Sequence, residues 1–333
     1  MPKQIYRIVP FTNEHIAPAA QILAAQSASL RSAYPLLPER VADEGVAHEF
    51  LAALMQKETC QGVALFANGK LCGYMVGYSD ANPFFGEYGW VPFGGIALPD
   101  GDIQHALPAL YAALGEKWVR EGIMNHYLFC PALETWQRVC ASLSFGQQQA
   151  YALADLTMQR EVPPLPVGFS MRSVQPTDAQ QLKDNAHWIA ARLNRAPVWA
   201  PVPAEHLAAI REGYAELAEE EETITWLAFH ADQMVAFMVV SAEEMGAAHY
   251  LASQESAHFS VAAVHPDFRG RGIGRALFTH VLEITRQQGF THVYTDWRTT
   301  NLEANSYWPS FGFTPFALRM IRRVNPRYQP FSE

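Results

Sequence analysis

The chain has 333 residues, of which 49% are hydrophobic and 17% charged, and it carries a net charge of −9. That length suits two domains of ordinary size, and the composition excludes a disordered chain. Negative charge in both halves excludes the basic field that nucleic-acid binding needs, and no apolar run approaches the ~20 residues that span a bilayer.

The opening stretch MPKQIYRIVPF lacks the apolar core and cleavage site of a signal peptide, so a cytoplasmic location is expected. The four cysteines (Cys60, Cys72, Cys130 and Cys140) lie in the first half without C-x-x-C spacing. They read as reduced thiols rather than metal ligands, and no metal is expected.

In chain order, Gln4 to Pro10 reads as a strand and Asn13 to Leu30 as a helix capped by Thr12 or Asn13. Gly62 to Phe66 and Lys70 to Tyr78 form a hairpin across Asn68-Gly69, a type I′ turn signal. A strand near Val91 to Leu98, a helix from Ile103 to Glu121, a strand near His126 to Cys130 and a helix ending at Ser144-Phe145-Gly146 follow. The proline-rich segment 161–168, EVPPLPVG, reads as an extended linker.

Beyond it the same order recurs. Phe169 to Ser173 is a strand, Thr177 or Asp178 caps a helix, and Pro203 to Glu222 is helical. Strands Thr223 to Phe229 and Gln233 to Ser241 meet at Ala231-Asp232. Then come a strand to Val264, a glycine loop, a helix over Ala276 to Gln287, a strand over Thr291 to Trp297, a helix and a last strand over Pro315 to Arg322. The repeat has a period of about 160 residues and implies a tandem α/β chain.

The glycine loop carries the most chemistry. In HPDFRGRGIGRAL, His265-Pro266-Asp267 breaks the strand, and Arg269, Gly270, Arg271, Gly272, Ile273, Gly274 and Arg275 run into the helix. Glycines let backbone approach a ligand closely, and the helix start offers unpaired amides and partial positive charge. The three arginines add full charges, so the segment reads as a cradle for phosphate. A P-loop needs a Gly-Lys pair that is absent, and a dinucleotide fingerprint fails because Arg275 stands where the third glycine belongs.

The pattern [RQ]-x-x-G-x-[GA], met by Arg269, Gly272 and Gly274 after Val264-x-Pro266, resembles the acetyl-CoA loop of the GCN5-related N-acetyltransferase (GNAT) superfamily. So does Asn301 to Phe313, NLEANSYWPSFGF, with Asn301, Ala304, Gly312 and Phe313 in the family's places. Trp308 stands where the family usually has a tyrosine, and an indole N–H is too weak an acid to protonate a leaving thiolate.

The resemblance implies two tandem acyl-CoA N-acyltransferase-like domains with a mixed sheet in each. They are expected over 1–160 and 169–333, with 161–168 as linker. The first half has LPDGDIQHALPAL in place of the loop, so Asp100 and Asp102 would repel a pyrophosphate, and Leu133 replaces the motif asparagine. That half is expected to be a degenerate copy.

In the second half the resemblance implies that backbone at Ala262, Ala263 and Val264 pairs with the pantetheine arm, the N–H near Val264 serving as oxyanion donor. Asn301 would contact the cofactor, with helix capping as its alternative role. Trp308 would pack against the arm or in the core. An amine must lose a proton before attack, and Asp296, five residues before Asn301, is the first candidate base, with His258 second. Acetyl transfer from acetyl-CoA to a primary amine of a small molecule is the leading expectation. A peptide amine as acceptor, and a CoA-binding module without turnover, are the alternatives.

Overall fold

A computed structural model describes residues 6–98, 101–200, 202–242, 249–251 and 253–328. In chain order the elements are β1 (Tyr6–Pro10), α1 (Ile16–Ala33), α2 (Glu44–Met55), β2 (Cys60–Ala67), β3 (Lys70–Asn82), β4 (Gly86–Val91), β5 (Ile96–Ala97), α3 (Ile103–Arg120), β6 (Asn125–Pro131), α4 (Glu134–Ser142) and β7 (Gly146–Asp155). There follow β8 (Phe169–Ser173), α5 (Ala179–Asn185), α6 (His187–Leu193), α7 (Ala204–Glu216), β9 (Thr223–His230), β10 (Gln233–Ala242), β11 (Ser256–Val264), α8 (Ile273–Gln287), β12 (His292–Arg298), α9 (Leu302–Tyr307) and β13 (Thr314–Arg323). The described residues fall into two units. One holds 6–98, 101–151, 249–251 and 315–328, and the other 152–200, 202–242 and 253–314.

In the first unit the strands run β1-β2-β3-β4-β6-β13-β7, with β5 beside β3. Neighbours from β1 to β4 are antiparallel, β4 and β6 are parallel, and β13 is antiparallel to β6. A parallel pair needs a crossover, and α3 supplies it. The hairpin between β2 and β3 turns at Asn68 (φ 51°) and Gly69 (φ 80°), the paired left-handed conformations that an Asn-Gly type I′ turn requires. Tyr250, from the chain between β10 and β11, belongs to this unit and packs on Phe50, its hydroxyl meeting Ser27 Oγ at 2.9 Å.

The last strand completes this first sheet, whereas the sequence reading assigned it to the second domain. Ala317 to Arg323 pair in register with Pro131 back to Asn125. The division between units falls at Tyr151/Ala152, upstream of the proline-rich segment. Local patterning sees a strand at 314–323 but not its partner, because pairing across almost two hundred residues leaves no periodic trace.

The second unit repeats the plan. Strands β8, β9, β10 and β11 are successively antiparallel, and β12 is parallel to β11 across the α8 crossover. Helix α8 buries Ile273, Ala276, Leu277, Val281 and Leu282, spaced to form one apolar stripe, against β9 to β11. The opposite face carries Leu182 of α5, Trp188 of α6 and Tyr214 of α7 packed on Leu227, Phe229, Phe237 and Ala263. Residues 158–166 carry no regular structure, as the prolines imply. Asp178, offered as a cap for α5, instead takes a two-point ion pair from Arg172 at 2.6 and 2.8 Å, and its carboxylate accepts from the Gln175 amide. Asp100 lies outside the described residues.

Candidate active site

The second unit's sheet opens between β11 and β12. Their parallel ladder holds for three pairs, Ser256–His292, Ala257–Val293 and His258–Tyr294, and no further pairs join them. Past the ladder the Thr295 hydroxyl donates to the Phe259 carbonyl at 2.8 Å, a side chain standing in for a backbone bond. On its other edge β11 carries a bulge. Val240 faces Phe259 and Val239 faces Val261, so Ser260 is the extra residue.

Backbone direction along β11 follows from one bond. The His265 amide donates to the Val235 carbonyl at 2.8 Å, and the register pairs Ala263 with Phe237. Hydrogen-bonded and non-bonded pairs alternate in an antiparallel ladder. The polar groups of Ala262 and Val264 therefore point away from β10, toward the opening. The Val264 carbonyl accepts from Arg269 Nε at 3.0 Å on that side. Ala263 is turned the other way, with its side chain in the core under α6.

At the end of β11 the loop takes the shape its glycines permit. Gly270 (φ 73°) and Gly272 (φ 86°) are left-handed, and a Cβ on either would meet nothing within 4 Å. The loop surface is open there, and what selects glycine is backbone conformation. Gly274 differs, since a Cβ on it would come within 3.1 Å of Val264 Cγ2. Helix α8 begins at Ile273, three residues ahead of the sequence expectation, and its first backbone bond runs from Ala276 to the Gly272 carbonyl at 3.0 Å. Among the described residues nothing accepts from the amides of Gly270 to Arg275. Ile273 contributes its amide only, its side chain being buried.

The arginines brace this loop. Arg271 donates to the Asp267 carbonyl at 3.0 Å and lies over Phe268, and Arg275 lies over Phe311 and reaches Ser310 Oγ at 3.4 Å. Among the described residues Arg269, Arg271 and Arg275 form no ion pair. Their charge therefore adds to the helix dipole.

The two candidate bases lie together. Phe259 packs on Phe278 of α8, so strand alternation puts His258 on the other face, that of α5 to α7. His258 stacks on Tyr294 with ring centroids 4.3 Å apart and planes 9° apart. Asp296, two residues beyond Tyr294 and on its face, puts Oδ1 3.9 Å from His258 Nε2. Both side chains are about a quarter exposed, at 27% and 26%.

Asn301 stands at the start of α9 but makes no side-chain cap, so the capping alternative fails. Its Oδ1 accepts from Arg192 of α6 at 3.1 Å, and the same guanidinium pairs with Glu303 at 3.1 Å. Sequence spacing gave no sign of Arg192, because its partners lie more than a hundred residues away. Trp308 is a core residue, ringed by Phe259, Phe278, Phe313 and Trp297. Tyr307 is half-buried, and its hydroxyl donates to the Gly274 carbonyl at 3.2 Å. Burial holds that phenol far above its usual pKa.

The equivalent helix of the first unit, α3, begins with a carboxylate. Asp102 accepts from the Tyr6 hydroxyl and from His105, and these bonds hold its pKa below the usual range. A fixed negative charge stands where the second unit offers bare amides. Among the described residues no cluster of histidine, cysteine and carboxylate side chains is arranged to hold a metal, and no helix is long and apolar enough to cross a membrane.

Residues 185–313 match the acetyltransferase (GNAT) family. Solved structures similar to the chain include a GCN5-related N-acetyltransferase from Sphaerobacter thermophilus, 15% identical with a TM-score of 0.60, covering 96% of this chain and 95% of that one. Another is a tandem GNAT protein from the clavulanic acid biosynthesis pathway, 14% identical with a TM-score of 0.55, covering 98% and 100%. A comparison with curated proteins finds no match. The family match lies within the second unit, and the two solved structures share the fold of almost the whole chain.

Proposed function

We propose that the chain is an acetyl-CoA-dependent N-acetyltransferase, working in the cytoplasm, with one active site in the second unit and a small-molecule primary amine as acceptor. The observation that carries this reading is the continuity of the open glycine loop with the parted strands β11 and β12. The unpaired amides of Gly270 to Arg275 and the unpaired arginine charges fit a diphosphate. The gap beside Ala262 and Val264 fits an extended amide-bearing arm that pairs with backbone as a strand would.

In this reading the Val264 N–H stabilises the oxyanion that forms as the amine attacks the thioester carbon. His258 and Asp296 act as one unit on the acceptor side. Asp296 steadies the imidazole and its charge while His258 takes a proton from the acceptor's ammonium group, and the neutral amine so formed attacks. Tyr307 and Trp308 take no part in protonating the thiolate, since the Tyr307 hydroxyl is committed to the Gly274 carbonyl and Trp308 is packed among aromatic rings. That proton returns from the His258–Asp296 pair or from solvent. Asn301, with its oxygen held by Arg192, keeps its NH2 group for a contact with the cofactor.

Incubation with acetyl-CoA and an amine panel, following thiol release, tests the proposal. Acceptor-dependent release supports it. Tight CoA binding without release across the panel would leave a binding module.

A further inference from the structure

The first unit keeps, at β5, the strand edge that the second unit offers at β11. Strands β8, β9 and β10 begin after β1, β2 and β3 by one and the same interval, so Tyr74 of β3 corresponds to Phe237 of β10. In the two registers Tyr74 pairs with Ala97 and Phe237 with Ala263, which sets Ile96 and Leu98 in the places of Ala262 and Val264. The Val76 amide donates to the Gly95 carbonyl at 2.7 Å, and bonded pairs alternate in an antiparallel ladder. The polar groups of Ile96 and Leu98 therefore point away from β3, as those of Ala262 and Val264 point away from β10.

In the first unit these groups are already taken. Gln26 of α1 donates from Nε2 to the Ile96 carbonyl at 3.3 Å, and its Oε1 accepts from the Leu98 amide at 3.0 Å. A carboxamide carries the donor and the acceptor of a peptide group, so this one side chain pairs with the edge as a ligand's amide would. The interval that relates the strands carries Gln26 onto Ile189 of α6, an apolar side chain packed on the core, which can form neither bond. Among the described residues nothing accepts from the Val264 amide. Beside Gln26 and Leu98 lies a cavity of about 300 Å³, lined also by Ile22, Ala25, Lys70 and Leu71.

We propose that the first unit retains the amide-pairing half of a coenzyme site and that Gln26 fills it from within, so that removing this side chain lets an uncharged pantetheine-type amide bind there. The proposal rests on the reading of the β11 edge as the seat of the coenzyme's arm. Closure is double. Gln26 holds the groups that the arm would pair with, and Asp102 sets a negative charge at the start of α3, where a diphosphate would lie. The apolar lining of the cavity, Ile22, Ala25, Leu71 and Leu98, suits the aliphatic body of such an amide.

Pantetheine is the probe, since it carries the amides of the arm and no phosphate. It is titrated into the isotope-labelled full chain while the Val264 and Leu98 amide resonances are followed. In the unsubstituted protein Val264 should shift and saturate while Leu98 stays in place. In Gln26→Ala, and in Gln26→Ile, which copies Ile189, Leu98 should shift and saturate as well. Its affinity should rise by about 10-fold or more, the worth of the two competing hydrogen bonds. A Leu98 amide that ignores pantetheine in a folded variant while Val264 responds would overturn the proposal and leave the reading of the second unit standing. Equal response of Leu98 with and without Gln26 would overturn it too, and silence at Val264 would remove the arm from both units. Should neither variant fold, hydrogen exchange in the unsubstituted chain decides. The Leu98 amide should exchange about 10-fold more slowly than the Val264 amide before any ligand is added, and equal rates would refute the plug.

Discussion

His258 Nε2 and Asp296 Oδ1 stand 3.9 Å apart on adjacent strands of the second unit. Their proximity depends on the three-pair ladder that sets His258 beside Tyr294, because Asp296 shares Tyr294's face one side chain further along. Two residues that sequence spacing offered as rival bases are thus geometric partners. If they act as one, Asp296→Asn and His258→Gln should each lower turnover by about 10²- to 10⁴-fold, the usual range for general base catalysis. CoA affinity by calorimetry should stay near that of the unsubstituted protein. The double variant should be little worse than the more damaged single one, because groups that work as a unit are not additive. Losses that multiply would show two separate roles.

The loop prediction concerns backbone rather than side chains. Gly272 caps α8 at φ 86° with open space around it, so a Cβ there strains the chain without meeting a neighbour. A left-handed non-glycine residue costs about 1–2 kcal/mol, more for a branched one. Gly272→Val should therefore pull the loop out of its conformation, misdirect the amides of Ile273 and Gly274, and abolish CoA binding in calorimetry. The hydrophobic core of α8 should keep the protein folded by circular dichroism. Retained affinity in the folded variant would place the diphosphate elsewhere.

Tyr307 provides a contrast. Its hydroxyl is committed to the half-buried Gly274 carbonyl, so Tyr307→Phe removes one hydrogen bond and leaves that acceptor without it. Stability should fall by about 1 kcal/mol, measured by urea denaturation, while turnover stays within about twofold. A collapse of turnover at unchanged stability would mean that the phenol reaches the leaving thiolate after all.

Much of this architecture is written in short-range pattern. The Asn68-Gly69 turn, the apolar stripe of α8 and the glycines at 270 and 272 each impose local geometry that is found at the expected place. The phosphate-type loop was legible for the same reason, since conformation and charge sit within seven consecutive residues. What sequence could not supply is contact across distance. The attachment of β13 to β6, the clasp of Arg192 on Asn301 and Glu303, and the burial of Trp308 all join residues whose partners are fixed by the folded sheet. Helix α2 was missed because its apolar positions lie among alanines and charges that leave a weak periodic signal.

Acid should weaken the first unit through His126. This imidazole is 1% exposed, with Nδ1 2.7 Å from the Tyr111 hydroxyl and Nε2 2.9 Å from the Ile123 carbonyl. A carbonyl can only accept, so Nε2 carries the proton and Nδ1 takes the bond from Tyr111. Burial lowers its pKa from 6.5 to about 4, the Ile123 bond opposing it in part and the nearby Arg322 charge adding a smaller depression. The folded state therefore resists a proton that the unfolded chain accepts readily. The stability this contributes is fully present above pH 6.5 and is lost progressively as pH falls toward about 4. The total is about 3 kcal/mol, at roughly 1.4 kcal/mol per pH unit of depression. Denaturant titrations at pH 7.5, 5.5 and 4.5 should show that decline, and His126→Phe, which cannot take a proton, should flatten it while lowering stability at neutral pH by stranding the Ile123 carbonyl. An equally steep decline in a folded His126→Phe protein would move the acid sensitivity to other groups.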